Sequence, residues 1–238
     1  MTPKRDIQAL LFVVFGTVVD WRTSIIDELT RFGAEKGLKA DWAAFTDDWR
    51  GLYQPAMEEV RSGRRAWTIL DVLHRESLDV LLAKYAITGL SEAEKDHVNR
   101  VWHRLKPWPD TVAGLQRLKT RYIIGTLSNG NVGLLTRMAK HGRLPWDVIL
   151  GAETARAYKP QPAAYLTSAE LLNLEPGQVM LVAAHNGDLA AAANVGLRTA
   201  FVARRTEHGP HQSRDLKAER DWDVVTDSFT GLADAMGC

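Results

Sequence analysis

The chain has 238 residues, of which 45% are hydrophobic and 25% charged, with 18 glycines and 9 prolines. This composition is typical of a folded globular protein and excludes a disordered or fibrous chain. The length predicts one large domain or two small ones, enough to bury a core. The formal net charge of +1 lacks the basic excess of proteins that bind nucleic acid or an anionic membrane surface, so we expect neither partner.

The only cysteine is the last residue, Cys238, which excludes an internal disulfide and a zinc site of four cysteines. We therefore expect a reducing, cytoplasmic location. The longest apolar run, Ala9–Phe15, is far shorter than the roughly 20 residues that span a bilayer. Lys4 and Arg5 precede it, but the run leads into Gly16 without a small-residue cleavage site, which indicates a first strand and not a signal peptide.

Five short aliphatic runs predict strands, because each is apolar on both alternating faces, as in a sheet covered on two sides. The runs are Ile7–Phe15, Tyr122–Leu127, Val148–Leu150, Val179–Ala184 and Thr199–Val202. Helical stretches alternate with the later strands, at Leu134–His141, Ala163–Leu172 and Leu189–Val195, with Gly142 and Gly196 as stops. This alternation predicts an α/β protein with a Rossmann-like parallel sheet.

The segment 21–105 interrupts the alternation, since it contains no convincing strand and has apolar residues at helical spacing. We predict a helical cap subdomain over 21–105, inserted into an α/β core domain made of 1–20 and 106–238. Pro107 and Pro109 mark the return to the core, because proline ends helices. The cap is expected over the carboxyl edge of the sheet, where open parallel sheets bind ligands.

Five features follow one another along the chain in a set order. They are Phe15-Gly16-Thr17 after the first strand, the helical cap, Leu127-Ser128-Asn129 after the second strand, Tyr158-Lys159-Pro160, and the run from Val182 to Asp188. Together they resemble the haloacid dehalogenase superfamily, and most closely its 2-haloacid dehalogenase branch. The resemblance covers nearly the whole chain and implies a hydrolase without a cofactor, whose ligands are a small halogenated carboxylic acid and a halide ion. A homodimer is expected at the level of the family only.

In that family an aspartate directly after the phenylalanine of the first strand is the nucleophile, and it forms an ester that water later opens. Here that position is Val13, and neither Asp6 nor Asp20 fits, because the motif up to Thr17 fixes the register. Valine offers no lone pair or charge, so no ester can form there. We predict a chain that is inactive or impaired as written, although without the resemblance Val13 would be an ordinary strand residue.

Phe15 stands where phosphatases of the superfamily carry a second aspartate, which protonates a poor alkoxide leaving group. A halide needs no such proton. Phe15 is therefore expected to contact substrate, or else to fill the core. Val13, Phe15 and a single Asp188 supply few oxygen ligands for magnesium, and we predict no metal site. A phosphatase is the less favoured alternative.

The resemblance gives roles to the polar residues of the loops. Lys159 is expected to hold the charge of the nucleophile and the substrate carboxylate, with Tyr165 as a supporting residue or simply a packed one. Thr17 is expected to donate to the carboxylate. Ser128 and Asn129 precede a glycine-containing turn whose amides are able to hold an anion, and the alternative is a polar loop that caps the next helix.

Asp188 corresponds to the family's acidic residue that orients the lysine or activates the hydrolytic water, and the alternative is a helix N-cap. His185 and Asn186 depart from the serine-rich form of this loop. If His185 faces the cleft, it is a candidate base for ester hydrolysis, against a purely structural histidine.

In the cap, Arg50 matches the arginine that receives the halide and the substrate carboxylate, which suits its permanent charge and several donors. The alternative for Arg50 is a surface position on a helix. Trp49 and the other tryptophans, including Trp21 and Trp67, are expected to line an apolar pocket or to pack in the core. A non-catalytic binding or regulatory protein on the same scaffold is the alternative to an enzyme.

Overall fold

The protein is described by a computed structural model that covers residues 7–238. The strands are β1 (Ala9–Phe12), β2 (Val19–Asp20), β3 (Lys106–Pro107), β4 (Ile123–Ser128), β5 (Val148–Gly151), β6 (Val179–Ala183), β7 (Arg198–Val202) and β8 (Val224–Thr226). The helices are α1 (Trp21–Lys36), α2 (Trp42–Arg61), α3 (Leu70–Lys84), α4 (Glu92–Asn99), α5 (Thr111–Lys119), α6 (Val132–Gly142), α7 (Ala152–Ala155), α8 (Pro162–Glu170), α9 (Asn186–Asn194) and α10 (Phe229–Ala235). Lys4, Arg5 and Asp6, considered above, lie outside the described residues.

Six of the strands form one parallel sheet in the order β5-β4-β1-β6-β7-β8. β1 lies at the centre, with Leu10 paired to Ile124 of β4 and to Met180 of β6. β4 and β5 lie on one side of β1, and β6, β7 and β8 lie on the other. Because the strands are parallel, the loops after β1, β4 and β6 open at the same edge of the sheet, where the strand order changes direction. The α/β fold with a Rossmann-like parallel sheet is confirmed.

The side chains of β1 explain why the sheet is covered on both faces. Leu10 and Phe12 pack into a core cluster that extends among the helices between β2 and β3. Ala9 and Leu11, which alternate with them, pack into a second cluster with residues of α8 and α9. Because successive side chains of a strand point to opposite faces, both faces of this central strand are apolar.

All five predicted strands are present, with ends shifted by up to three residues. β1 ends at Phe12, earlier than expected, although Val13 still donates its amide to the carbonyl of Val182 (3.0 Å). The sequence analysis missed β8, a strand of three residues at the sheet edge whose Val225 is exposed. A run that short gives no periodicity to recognise.

The segment between β2 and β3 is helical, made of α1 to α4 and a short 3₁₀ helix, Arg100–His103. β2 and β3 pair antiparallel, so the chain leaves and re-enters the sheet region at adjacent points. The division into a core of 1–20 and 106–238 and a cap of 21–105 stays a prediction, and its first six residues are not described. Within residues 7–238, no helix is both long and apolar enough to cross a membrane.

Leu10→Ala is expected to lower the free energy of unfolding by about 2–5 kcal/mol, because it leaves a cavity at the centre of a closely packed sheet. Leu10 is fully buried in β1. Leu171→Ala is the matched control, since Leu171 is 54% exposed after α8 and the same truncation is expected to change stability by less than about 0.5 kcal/mol. Urea unfolding of the two variants measures the difference, and equal effects would contradict this assignment of the core.

Candidate active site

A cavity of 430 Å³ opens at the carboxyl edge of the parallel sheet, between that edge and helix α2. The connections after β1, β4, β5, β6 and β7, together with α8, contribute its other walls. It is lined by Val13, Phe15, Arg50, Tyr53, Gln54, Ser128, Asn129, Lys159, Pro160, Tyr165, His185, Gly187, Asp188, His208, Arg214 and Asp215. Nine of the residues predicted for the site are on this wall.

Lys159 is held in the cavity wall by four contacts, although a lysine is seldom buried. It is 7% exposed, and its ammonium forms an ion pair with Asp188 and donates to the carbonyl of Leu127 (3.2 Å). Its backbone amide donates to Oδ1 of Asn129 (3.0 Å), and Arg61 of α2 donates to its backbone carbonyl (2.9 Å). A buried ammonium is tolerated when a carboxylate pairs with it, which fixes the position of this side chain.

Asp188 lies in the first turn of α9, but it does not serve as the N-cap that the sequence offered as an alternative. Its carboxylate binds Lys159, and the hydroxyl of Tyr165 donates to its second oxygen (2.6 Å). Burial and the neighbouring carboxylate raise the pKa of Tyr165 above its ordinary value, so the phenol stays protonated and donates. Lys159, Asp188 and Tyr165 therefore form one hydrogen-bonded group.

Ser128 is the last residue of β4 and Asn129 directly follows it, and both side chains are almost fully buried. Asn129 is committed to the backbone of Lys159 (3.0 Å). The N-cap residue of α6 is Asn131, and its side chain exchanges hydrogen bonds with Asp71 of α3 instead of capping its own helix. This loop therefore positions the lysine and contacts the helical segment.

Arg50 extends from α2 into the cavity, sandwiched between aromatic rings. Its guanidinium carbon lies 4.1 Å from the centroid of the Tyr53 ring and 5.3 Å from that of Trp21. Stacking on aromatic faces holds a guanidinium without neutralising it. Among residues 7–238, no carboxylate lies within ion-pair distance of Arg50. The arginine is therefore available to an anion that enters the cavity.

Val13 and Phe15 form the apolar part of the wall. Val13 directly follows β1 and is 6% exposed. The ring of Phe15 meets those of Tyr53 (6.3 Å) and Trp102 (5.8 Å) edge-on. This favours a substrate with a short carbon chain at the base of the cavity.

His185 lines the cavity beside a buried carboxylate, Glu207, whose Oε2 lies 2.8 Å from Nε2 of the ring. Burial opposes the charged form of His185, but Glu207 outweighs it and the pKa of the histidine is raised. Burial likewise opposes ionisation of Glu207, yet His185 and other cations lower its pKa to about 2. The two groups form an ion pair, which disfavours the expectation that His185 is a base.

Three predicted site residues do not reach the cavity. Trp49 is fully buried among aromatic rings, with its indole donating to the carbonyl of His74 (3.1 Å), so its expected contact with substrate is not observed. Thr17 accepts a hydrogen bond from the amide of Ala184 (2.9 Å), which ties the first loop to the β6 loop. Asn186 fixes the loop after β7 through Asp215 and Trp222. Each lies one layer behind the wall, where it supports residues that do line the cavity.

Several residues of the site were missed by the sequence analysis. Tyr53 and Gln54 follow Arg50 by three and four positions on α2, so helical spacing would have brought them to the same face. His208, Arg214 and Asp215 belong to the long connection between β7 and β8, which has no regular periodicity. Among the described residues, no group of three or more His, Cys, Asp or Glu is arranged to hold a metal ion.

The sequence matches the family model of the haloacid dehalogenase-like hydrolases over residues 7–196. Among curated proteins, (S)-2-haloacid dehalogenase 4A of Burkholderia cepacia is 26% identical over 237 residues, which cover 96% of this chain and 99% of the relative. The family model covers β1 to α9, and the match to the relative extends over almost the whole chain.

Two solved structures are similar over almost their whole length. A defluorinating L-2-haloacid dehalogenase has 50% sequence identity and a TM-score of 0.95, covering 98% of this chain and 96% of that one. A second L-2-haloacid dehalogenase has 46% identity and a TM-score of 0.95, covering 97% and 99%. The similarity to these solved structures agrees with the parallel sheet. This chain belongs to the haloacid dehalogenase-like hydrolases.

Proposed function

We propose that the site is built to hydrolyse the carbon–halogen bond of short (S)-2-haloalkanoic acids, and that the chain as written is inactive or strongly impaired. The observation that carries the proposal is a small cavity with one uncommitted arginine, Arg50, opposite a buried lysine, Lys159, and an apolar base. The names of the relatives support the same substrate class. Val13 carries the second half of the proposal, since it stands at the nucleophile position.

The reaction of the intact site has two steps. An aspartate oxygen at position 13 attacks the substrate carbon, a carbon–oxygen bond forms, and the halide leaves with the bonding electrons towards Arg50. Water then opens the ester, which returns the carboxylate and releases a 2-hydroxy acid and a proton. Arg50 suits the leaving anion because its charge is fixed and unneutralised.

The substrate carboxylate is assigned to Lys159 and Ser128, and Asn129 acts by holding the lysine backbone. Asp188 is assigned the orientation of Lys159 and the preparation of water, with Tyr165 fixing its carboxylate. Water is not assigned to His185, because a protonated imidazole has no free lone pair to accept a proton.

A non-catalytic binding protein is the second candidate, and Val13 is the observation that favours it. Valine removes one negative charge from a cavity that still contains Arg50 and Lys159. A halocarboxylate therefore binds under both proposals, and only turnover after restoring aspartate separates them. A phosphatase is disfavoured because Phe15 occupies the wall where a second carboxylate would act.

We further propose a cytoplasmic enzyme that works without metal or cofactor and pairs into a homodimer. The single cysteine supports the reducing location, because no disulfide within the chain is available to stabilise it outside the cell. The dimer rests on the family resemblance alone.

Val13→Asp is expected to produce halide release from (S)-2-chloropropionate, whereas the parent chain releases none above background. The physical reason is that a carboxylate supplies the attacking oxygen that valine lacks. Val13→Asn is the matched control, since its amide has the same shape without the nucleophilic charge. Chloride release at steady state measures the rate, after circular dichroism shows that all three proteins are folded.

Two outcomes of that comparison contradict the proposal. Turnover by the parent at the rate of the aspartate variant would show that Val13 does not replace a nucleophile. A folded Val13→Asp protein that binds (S)-2-chloropropionate without releasing chloride would favour the binding protein.

In the Val13→Asp protein, fluoroacetate is expected to release fluoride, which a fluoride electrode measures, because a relative with 50% identity is a defluorinating enzyme.

In the Val13→Asp protein, the further substitution Arg50→Lys is expected to reduce chloride and fluoride release at least tenfold, since an ammonium lacks the planar fork of donors. Arg64→Lys is the control, because Arg64 lies on the surface in an ion pair with Glu59. A fluoride electrode measures the rate, and equal rates for Arg50→Lys and Arg64→Lys would overturn the role of Arg50.

A further inference from the structure

Glu207 is a buried carboxylate that neither the sequence analysis nor the proposed reaction uses. It lies in the connection after β7 and is 1% exposed. One oxygen accepts the indole N–H of Trp21 (3.0 Å), and the other lies 2.8 Å from Nε2 of His185. His208 approaches the first oxygen at 3.6 Å. A carboxylate with so little contact with water is stable only if its charge is compensated.

The first loop is shaped around this carboxylate. Gly16 has a φ of +84°, and a Cβ atom there would lie 2.0 Å from Oε1 of Glu207. A side chain at position 16 is therefore excluded both by the backbone and by the glutamate. Glu207 therefore packs against Gly16, which lies three residues after Val13 in the loop that presents the nucleophile position.

Four titratable groups face His185, and they come from three elements. Glu207 and His208 lie on the connection after β7, Arg50 on α2 and Asp188 on α9. The two carboxylates favour the charged imidazole, and Arg50 opposes it. Burial keeps the pKa of His208 below its ordinary value, so His208 is mostly neutral near pH 7 and does not compete for the negative charge.

We propose that Glu207 is a positioning residue that holds His185 as an imidazolium in the cavity wall, so that an entering anion meets a further cation besides Arg50 and Lys159. Nε2 of His185 is engaged by Glu207, while Nδ1 has no hydrogen-bond partner among residues 7–238. The anion is the carboxylate or the halide of the proposed function, on which this role rests. The charge state of His185 is nevertheless measurable without any turnover.

The pH dependence follows from the sign of the shift. Because Glu207 raises the pKa of His185 above its ordinary value of about 6.5, the imidazolium is present at and below that ordinary value and is lost as the pH rises through the raised pKa. Anion binding is therefore expected to weaken as the pH rises through the raised pKa of His185. A 2-halocarboxylate stays ionised throughout that range, so the ligand does not titrate.

The first test is the titration of His185 by NMR in the parent chain, in Glu207→Gln and in Glu59→Gln. Glu207→Gln keeps an oxygen for the Trp21 indole but removes the charge. We expect His185 to titrate above about 6.5 in the parent and below it in Glu207→Gln, where only Asp188 still opposes the effect of burial. Glu59→Gln removes an exposed carboxylate paired with Arg64 and is expected to match the parent.

A His185 that titrates at or below about 6.5 in the parent overturns the proposal, and this measurement needs no variant. An unchanged titration in folded Glu207→Gln overturns it as well. Both results are independent of whether halocarboxylates are the substrates.

The second test is the affinity of the parent chain for (S)-2-chloropropionate, measured by calorimetry between about pH 6 and 9, around the ordinary histidine pKa. Glu207→Gln is expected to weaken binding about tenfold at the acid end, and His185→Asn is expected to remove the pH dependence. Binding that keeps the parent's affinity and pH profile in both variants would overturn the role of the pair. Absence of binding by the parent at every pH would instead contradict the proposed function, and the titration of His185 would still decide the role of Glu207.

Discussion

The buried ammonium of Lys159 is the constraint on which the site depends. A lysine that is 7% exposed needs compensation for its charge, and Asp188 supplies it from the start of α9. Asn129, in the loop after β4, accepts a hydrogen bond from the backbone amide of Lys159. Arg61 of α2 donates to the backbone carbonyl of the same lysine. One residue thus fixes the relative positions of two loops of the sheet and of the helical segment above it.

The charges of the cavity are divided into two sets by the fold. Lys159 is compensated by Asp188, and His185, which we propose to be an imidazolium, lies against Glu207, so each has its own carboxylate. Arg50 is held by aromatic rings and has no carboxylate among the described residues. Because stacking leaves its charge intact, the cavity retains an unneutralised positive centre for an anion. That centre is independent of the residue at position 13.

The sequence predicted the sheet well because its strands are apolar on both faces, a pattern that depends only on local sequence. Ser128, Lys159 and Asp188 were found through short motifs that resemble those of the family, and they meet in one cavity. Trp49 packs in the core, which was the second of the two outcomes expected for it, since a tryptophan on a helix has the same sequence signature whether it faces a ligand or the core.

Glu207 was missed for a related reason. It lies in an irregular connection, and its partners Trp21 and His185 are 186 and 22 residues away along the chain. No local pattern marks such a contact, because burial of a carboxylate is decided by the tertiary structure. Gly16 was a weak signal of this contact. Its positive φ and the lack of room for a Cβ atom both require glycine, but the sequence shows the residue type and not the reason for it.

Valine at position 13, where we propose that the family's nucleophile stands, suits the fold for a simple physical reason. The backbone amide of Val13 donates to Val182 and continues the sheet, whatever side chain the residue carries. Its side chain packs with Leu11, Leu127 and Leu181, where valine satisfies the apolar surroundings and an aspartate carboxylate would need Lys159 or Arg50 to offset its burial. Folding therefore favours valine at this position, and only the chemistry favours aspartate. The ion pairs of Lys159 and His185 do not include residue 13, so the architecture of the site persists in either case.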